Sequence, residues 1–131
     1  MEIHESAENY LEMILILKER LGLVRSIDIV HEMNYAKPSV SVAMKRLREN
    51  GYIEMDKEGY IALLPPGLEI AQRIYTRHRL LSKFLEYLGV SRETASADAC
   101  KIEHDISAES FARIVAFSKA QGIISGSKAE T

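Results

Sequence analysis

Residues 37–63 read KPSVSVAMKRLRENGYIEMDKEGYIAL, and this stretch decides the fold. Pro38 marks the opening of a helix, where a missing N–H costs nothing in the first turn, and Asn50-Gly51 closes it. After Gly51 the period changes. Tyr52-Ile-Glu-Met55 and Tyr60-Ile-Ala-Leu63 are β-like runs bracketing Asp56-Lys-Glu-Gly59, a hairpin turn sequence. Working backwards, Ser26 is expected to cap a short helix carrying Ile27, Ile29, Val30 and Met33, which ends at Asn34 before the turn Asn34-Tyr35-Ala36. Before it, Tyr10, Met13, Ile14, Leu17 and Leu21 recur at helical spacing, and Gly22 is the stop. Helix, helix, tight turn, helix and hairpin follow one another in the order of a winged helix-turn-helix.

The third helix carries an argument about function. On a wheel of about 100° per residue, Val40, Ala43, Met44 and Leu47 cluster on one side, while Ser39, Ser41, Val42, Lys45 and Arg46 project elsewhere. Between Lys37 and Arg48 every charged side chain is basic, although acidic residues are plentiful on both sides of the segment. A positive stripe on a helix that follows a turn is the footprint of major-groove docking on duplex DNA with flanking phosphate contacts. The residues expected to meet DNA are Lys37, Pro38, Ser39, Ser41, Val42, Lys45 and Arg46, with Lys57 at the wing tip. Small Ser39 and Ser41 allow close approach to base edges, and Lys45 has the reach for a guanine or a phosphate. The competing reading of the same stripe is a solvated basic face.

The second half begins at Pro65-Pro66-Gly67, since proline cannot continue a strand ladder. A long helix follows, with Leu68, Ala71, Ile74, Tyr75, His78, Leu81, Leu85 and Leu88 on its apolar side and Gly89 at its end. Ser91 is expected to cap the next helix, running to about Asp105, and Ser107 the one after it, with Phe111, Ile114, Val115 and Phe117 apolar. The tail from Gly122 to Thr131 is small and polar and is expected to fray. These helices are too few and too apolar to close a core alone, so they read as a dimerisation module. The expected class is therefore mainly α, with a winged helix-turn-helix domain over 1–64 and an all-helical dimerisation and metal-binding domain over 65–131.

Composition narrows the alternatives. The 131 residues are 47% hydrophobic and 27% charged, the balance of an ordinary globular protein. A formal net charge of −2 argues against a nucleic-acid coat that relies on bulk positive charge, so DNA contact must be local. The acidic start and the lack of a long apolar run point to a cytoplasmic protein without membrane attachment. One cysteine, Cys100, excludes an internal disulfide framework and leaves a thiolate ligand available.

That cysteine belongs to a second constellation. In the helix from Ser91, Ala95, Ala99, Ile102 and Ile106 are the expected buried stripe, while Cys100, Glu103 and His104 gather on a different face. Thiolate, carboxylate and imidazole suit Fe, Co, Ni or Zn better than the hard ions Mg and Ca. An accidental cluster on a polar face has the same spacing. His78 in the apolar stripe of the long helix, and Asn9 and Glu12 on the first helix, are further candidates. The competing reading of His78 is a satisfied core histidine.

Four stretches carry a resemblance: Ser6-Ala-Glu-Asn-Tyr-Leu-Glu12, Lys37-Pro-Ser-Val-Ser41, Arg77-His-Arg-Leu-Leu81 and Asp98-Ala-Cys-Lys-Ile-Glu-His-Asp-Ile-Ser107. Together they resemble the metal-dependent repressors of the diphtheria toxin repressor and manganese transport regulator type, in the short form without a C-terminal SH3-like domain. The resemblance implies a homodimer that represses from a palindromic DNA operator when loaded with a divalent transition metal. It implies Glu12, His78, Cys100, Glu103 and His104 as ligands, with Asn9 at a further ligand position. Asn9 stands where the iron branch has methionine and the manganese branch aspartate. Cys100 matches the iron branch and Glu12 the manganese branch, and the thiolate tilts the expectation toward Fe(II) over Mn(II), with Co, Ni or Zn able to substitute in vitro. Ser82 and Ser96 stand where the iron branch places ancillary ligands, so a second site of that form is not expected. The rival functions are a metal-independent winged-helix regulator and, more remotely, a catalytic metalloprotein. For the latter the sequence offers neither a general base beside an evident cleft nor a cofactor motif.

Overall fold

The computed structural model describes residues 5–123. Among them the order is α1 (Glu5–Leu21), α2 (Ser26–Met33), α3 (Lys37–Glu49), β1 (Ile53–Met55), β2 (Ile61–Leu63), α4 (Pro65–Tyr87), α5 (Arg92–Ile102) and α6 (Ala108–Ala120). The chain forms two compact units that part at Gln72/Arg73, inside α4. The expected winged helix-turn-helix occupies the first and an all-helical arrangement the second.

Local chemistry explains most boundaries in the first unit. Asn34 ends α2 in the left-handed conformation at φ 55, where a short polar side chain is tolerated. Pro38 lies in the first turn of α3, and Asn50 caps its far end with its side-chain amide donating to the Arg46 carbonyl at 2.8 Å. The α2 start differs from expectation: Ser26 is the first helical residue rather than the cap. Arg25 stands extended in the cap position, and the Asp28 carboxylate reaches back to accept the Arg25 N–H at 2.9 Å. An ionised acceptor in the first turn also meets the positive end of the helix dipole, which a serine hydroxyl cannot match.

The wing is the antiparallel pair β1 and β2, with Ile53 opposite Leu63 and Met55 opposite Ile61. Asp56 Oδ1 accepts the Tyr60 N–H at 2.9 Å, and Gly59 supplies the φ of 87 that closes the turn. Ile61 also donates to the Val24 carbonyl at 2.8 Å, so the linker after α1 is pinned to the wing. The core beneath comprises Leu11, Ile14 and Leu17 from α1, Val24, Ile29, Val40, Met44, Leu47, Ile53, Ile61 and Ala71. Leu11 joins this core, and Leu21, expected to face it, is exposed. The final turn of α1 therefore extends past the layer that the rest of the helix packs upon. Gly67, in the first turn of α4, abuts the end of the helix-to-wing connection: a Cβ there would lie 2.2 Å from the Tyr52 carbonyl oxygen.

In the second unit the expected caps are found. Ser91 Oγ accepts the Thr94 N–H at 3.3 Å and Ser107 Oγ the Ser110 N–H at 3.0 Å. Gly89 takes a φ of 104 after α4. Phe117 of α6 meets Phe84 and Tyr87 of α4 edge-on, at centroid distances of 6.0 and 6.3 Å. Leu88, expected on the buried side of α4, is exposed, and with Phe84, Arg113, Ile114 and Phe117 it lines an open apolar hollow of about 250 Å³. Among the described residues no further layer covers that end of α4. Of the expected frayed tail, residues 124–131 lie outside the described residues.

Candidate metal centre and recognition surface

The α5 helix ends at Ile102, three residues sooner than its sequence pattern suggests. Glu103 serves as its C-cap, donating its N–H to the Ala99 carbonyl at 2.9 Å, and the chain then turns through His104 to Ile106. The turn is held from α4. Arg77 Nη1 donates to the carbonyl oxygens of Glu103 at 3.2 Å and Ile106 at 3.1 Å, with its guanidinium 5.1 Å from the centroid of the Phe111 ring. A cation there satisfies carbonyls that a helix end leaves without intrahelical donors and meets the negative end of the α5 dipole.

This clamp presents Glu103 inward. Its side chain is 0% exposed, and Oε2 lies 2.8 Å from His78 Nδ1. His104, with a side chain 2% exposed, brings Nε2 to 3.5 Å from Glu103 Oε1, while Ser96 Oγ lies 3.4 Å from His78 Nε2. The face assignment expected for α5 is therefore corrected: Ala95, Ala99 and Glu103, spaced by four, share the buried side, whereas Ile102 and Ile106 are only half-buried. Glu103 lies against His78 and His104 approaches Glu103, while Cys100 is exposed on α5.

A wholly buried carboxylate flanked by two imidazoles is stabilised by hydrogen bonds and by positive charge, which a protonated imidazole or a metal ion supplies. Two nitrogens and a carboxylate are donors that suit a first-row divalent metal. Donors sharing a tetrahedral ion at about 2.1 Å from each stand about 3.4 Å apart, so His78 Nδ1 and Glu103 Oε2, at hydrogen-bond distance of 2.8 Å, need separate by little to share one. Alternatively His78 donates Nδ1–H to the carboxylate and offers Nε2 as the ligand, with Glu103 fixing its tautomer. The residues present fit a divalent transition metal in either arrangement.

On α1, Glu12 is buried at 6% exposure and Asn9 half-buried. Glu8, one turn before Glu12, is likewise buried at 8%, although nothing in the sequence pattern singled it out. The signal that could have found it is the spacing of four, which puts both carboxylates on one face and raises the demand for cationic company.

The α3 surface is separate chemistry. Val40, Met44 and Leu47 are buried, and Lys37, Pro38, Ser39, Ser41, Val42, Lys45 and Arg46 are all exposed, as is Lys57 in the wing turn. The helix thus carries a packed side and a basic, solvent-facing side.

Residues 2–61 match the family described as iron dependent repressor, N-terminal DNA binding domain, and residues 65–120 match its metal binding and dimerisation domain. The chain belongs to the iron-dependent repressor family. Among relatives, the transcriptional regulator MntR of Salmonella typhimurium is 34% identical over 118 residues, covering 90% of this chain and 75% of its own length. The HTH-type transcriptional regulator MntR of Geobacillus kaustophilus is 37% identical over 109 residues, covering 83% and 77% respectively. Among solved structures, the manganese regulator SloR superposes with a TM-score of 0.75 at 28% identity over 89% of this chain and 54% of that one. T. acidophilum IdeR superposes with a TM-score of 0.75 at 27% identity over 88% and 54%. The chain therefore spans about half the length of those solved chains. This family member is a metal-responsive, DNA-binding repressor that works as a homodimer, and the open apolar hollow on α4 and α6 lies in its dimerisation domain. No described helix is long and apolar enough to cross a membrane.

Proposed function

We propose that the protein is a cytoplasmic, non-enzymatic repressor whose operator affinity is set by Fe(II) in preference to Mn(II), through Glu12, His78, Cys100, Glu103 and His104, with Asn9 as an auxiliary neutral donor. Residues 1–64 form the DNA-binding part and 65–131 the dimerising, metal-binding part. The observation that carries the reading is the fully buried Glu103 carboxylate 2.8 Å from His78. The iron preference rests on Cys100: a thiolate favours Fe(II) more than an additional carboxylate would.

The bound ion supplies positive charge to a group of carboxylates. Glu103 holds His78 in place, and Arg77 holds Glu103 by its backbone. Glu12, on α1, links occupancy of the site to the helix whose Leu11, Ile14 and Leu17 share a core with Val40, Met44 and Leu47 of α3. Held as a ligand, Glu12 would restrict α1, and the paired recognition helices of the dimer would sample fewer separations. Affinity for an operator of fixed half-site spacing rises, and by reciprocity operator DNA tightens metal binding equally.

The test is anisotropy titration of an operator duplex, selected from randomised DNA, with chelator-treated protein and then with Fe(II) or Mn(II) restored anaerobically. Restoration is expected to tighten binding by about 5- to 150-fold, the usual span of such coupling. Equal affinity in all samples would exclude metal control. The variant Cys100→Glu is expected to move the ranking toward Mn(II); an unchanged ranking removes Cys100 from the ligand set.

A further inference from the structure

Among the described residues of α3, one exposed side chain does not fit a simple phosphate-gripping face. Val42 is 52% exposed in mid-helix. Its neighbours at spacings of three and four are Pro38, Ser39, Lys45 and Arg46, all exposed. A β-branched apolar residue there gains nothing from packing and lowers helix propensity slightly. The core side of the helix is already filled by Val40, Met44 and Leu47.

The surroundings identify what would cover it. The patch is an apolar centre of Val42 and the neighbouring Pro38 with serines beside it and cations at the rim, and no acidic side chain lies between Lys37 and Arg48. A protein surface offering only apolar area would strand the cations. The major groove of duplex DNA matches both parts: phosphates along its edges for Lys37, Lys45 and Arg46, and the thymine C5-methyl as the apolar group on its floor. Valine has no donor or acceptor, so it cannot read the hydrogen-bonding edge of a guanine or an adenine. We propose that Val42 is a specificity-determining residue that selects thymine at one position of each operator half-site by packing against its methyl group. This deepens the reading of α3 as the DNA-reading helix and depends on it.

The experiment uses the metal-loaded protein and a duplex selected from a randomised library. Each thymine of the selected half-site is replaced in turn by deoxyuridine, which removes the methyl and leaves every hydrogen-bonding group. At one position the loss is expected to be about fourfold, the factor equivalent to burying one methyl-sized group, and about fifteenfold when both half-sites are changed. Val42→Ala should bind the thymine duplex more weakly and show no response to deoxyuridine at that position. Placing 5-methylcytosine there should restore part of the wild-type affinity that falls when cytosine replaces the thymine.

Each outcome bears on a different claim. Failure to select any duplex defeats the DNA-reading assignment itself. A selected duplex insensitive to deoxyuridine at every thymine overturns the role of Val42 alone, as does sensitivity that persists unchanged in Val42→Ala. Loss of self-association in Val42→Ala, with DNA discrimination intact, would assign the patch to a second copy of the chain and also overturn it. Because the deoxyuridine series needs no variant, the inference stays falsifiable even if the substitution perturbs folding.

Discussion

The exposed side of α3 and the turn after α5 are both polar, yet they are built on opposite principles. On α3 the charges stand in water, and no partner for them is needed until DNA arrives. In the turn after α5 the Glu103 side chain is 0% exposed and His104 2%, so their polar atoms depend on protein or metal partners rather than on water. Water screens an exposed cation and reduces the worth of each contact to the order of 1 kcal/mol or less. A buried carboxylate has no such relief, and breaking its pairing costs on the order of several kcal/mol. The recognition surface should tolerate single changes with graded loss, whereas the metal centre should fail abruptly.

The sharpest way to break this contrast is to remove the buried carboxylate. Glu103→Ala is expected to abolish metal-dependent tightening on the operator and leave the weak metal-free binding in place. Isothermal titration with Mn(II) should show metal affinity reduced by at least about 100-fold, at or beyond the upper limit for outer-sphere changes. A loss of tenfold or less would mean that Glu103 is structural rather than a ligand. Glu103→Gln keeps the volume and separates loss of charge from loss of packing: it should fold as well as the parent and still lack the metal response.

Arg77 tests the same centre one step out. Its two hydrogen bonds to the backbone carbonyls of Glu103 and Ile106 position the turn. Arg77→Met keeps much of the stem over Phe111 and removes the donors. Metal affinity should fall by about tenfold, with the order of preference among Fe(II), Co(II), Mn(II) and Zn(II) unchanged, because the donor set is the same. Arg77→Lys should recover part of the loss. A changed order would place Arg77 closer to the ion than the clamp implies.

The two regions also differ in how far sequence alone reveals them. The α3 surface is legible because its logic is one-dimensional: Pro38, Asn50-Gly51 and the period of Val40, Met44 and Leu47 fix which side faces out. The serine caps at 91 and 107 and the hairpin turn at 56–59 are equally local. The metal centre depends on contacts between distant residues. Its ligand types could be named from residue chemistry and resemblance, but the stripe Ala95, Ala99, Glu103 could not, since a wheel places a glutamate on the polar side by default. Only the company of His78, His104 and the Arg77 clamp reverses that assignment. The Ser26 and Leu21 expectations failed for related reasons: Asp28 outcompetes a hydroxyl for the cap, and the end of a periodic helix can outrun its core.

The mildest test belongs to the exposed side. Lys45→Ala and Arg46→Ala are each expected to weaken operator binding severalfold. If each side chain grips one phosphate, the slope of log affinity against log salt should become shallower by about 0.9 for every phosphate released, or about 1.8 in a homodimer. Metal affinity measured without DNA should not move. Lys57→Ala, in the wing turn, should lower the slope by no more than either of these, because a lone lysine on an exposed turn is largely solvated already. Two substitutions on α3 should add nearly independently in free energy, as screened charges do, whereas Glu103→Gln combined with Arg77→Met should lose little beyond Glu103→Gln alone. Additivity in both pairs would erase the distinction between a surface of separate grips and a centre that acts as one unit.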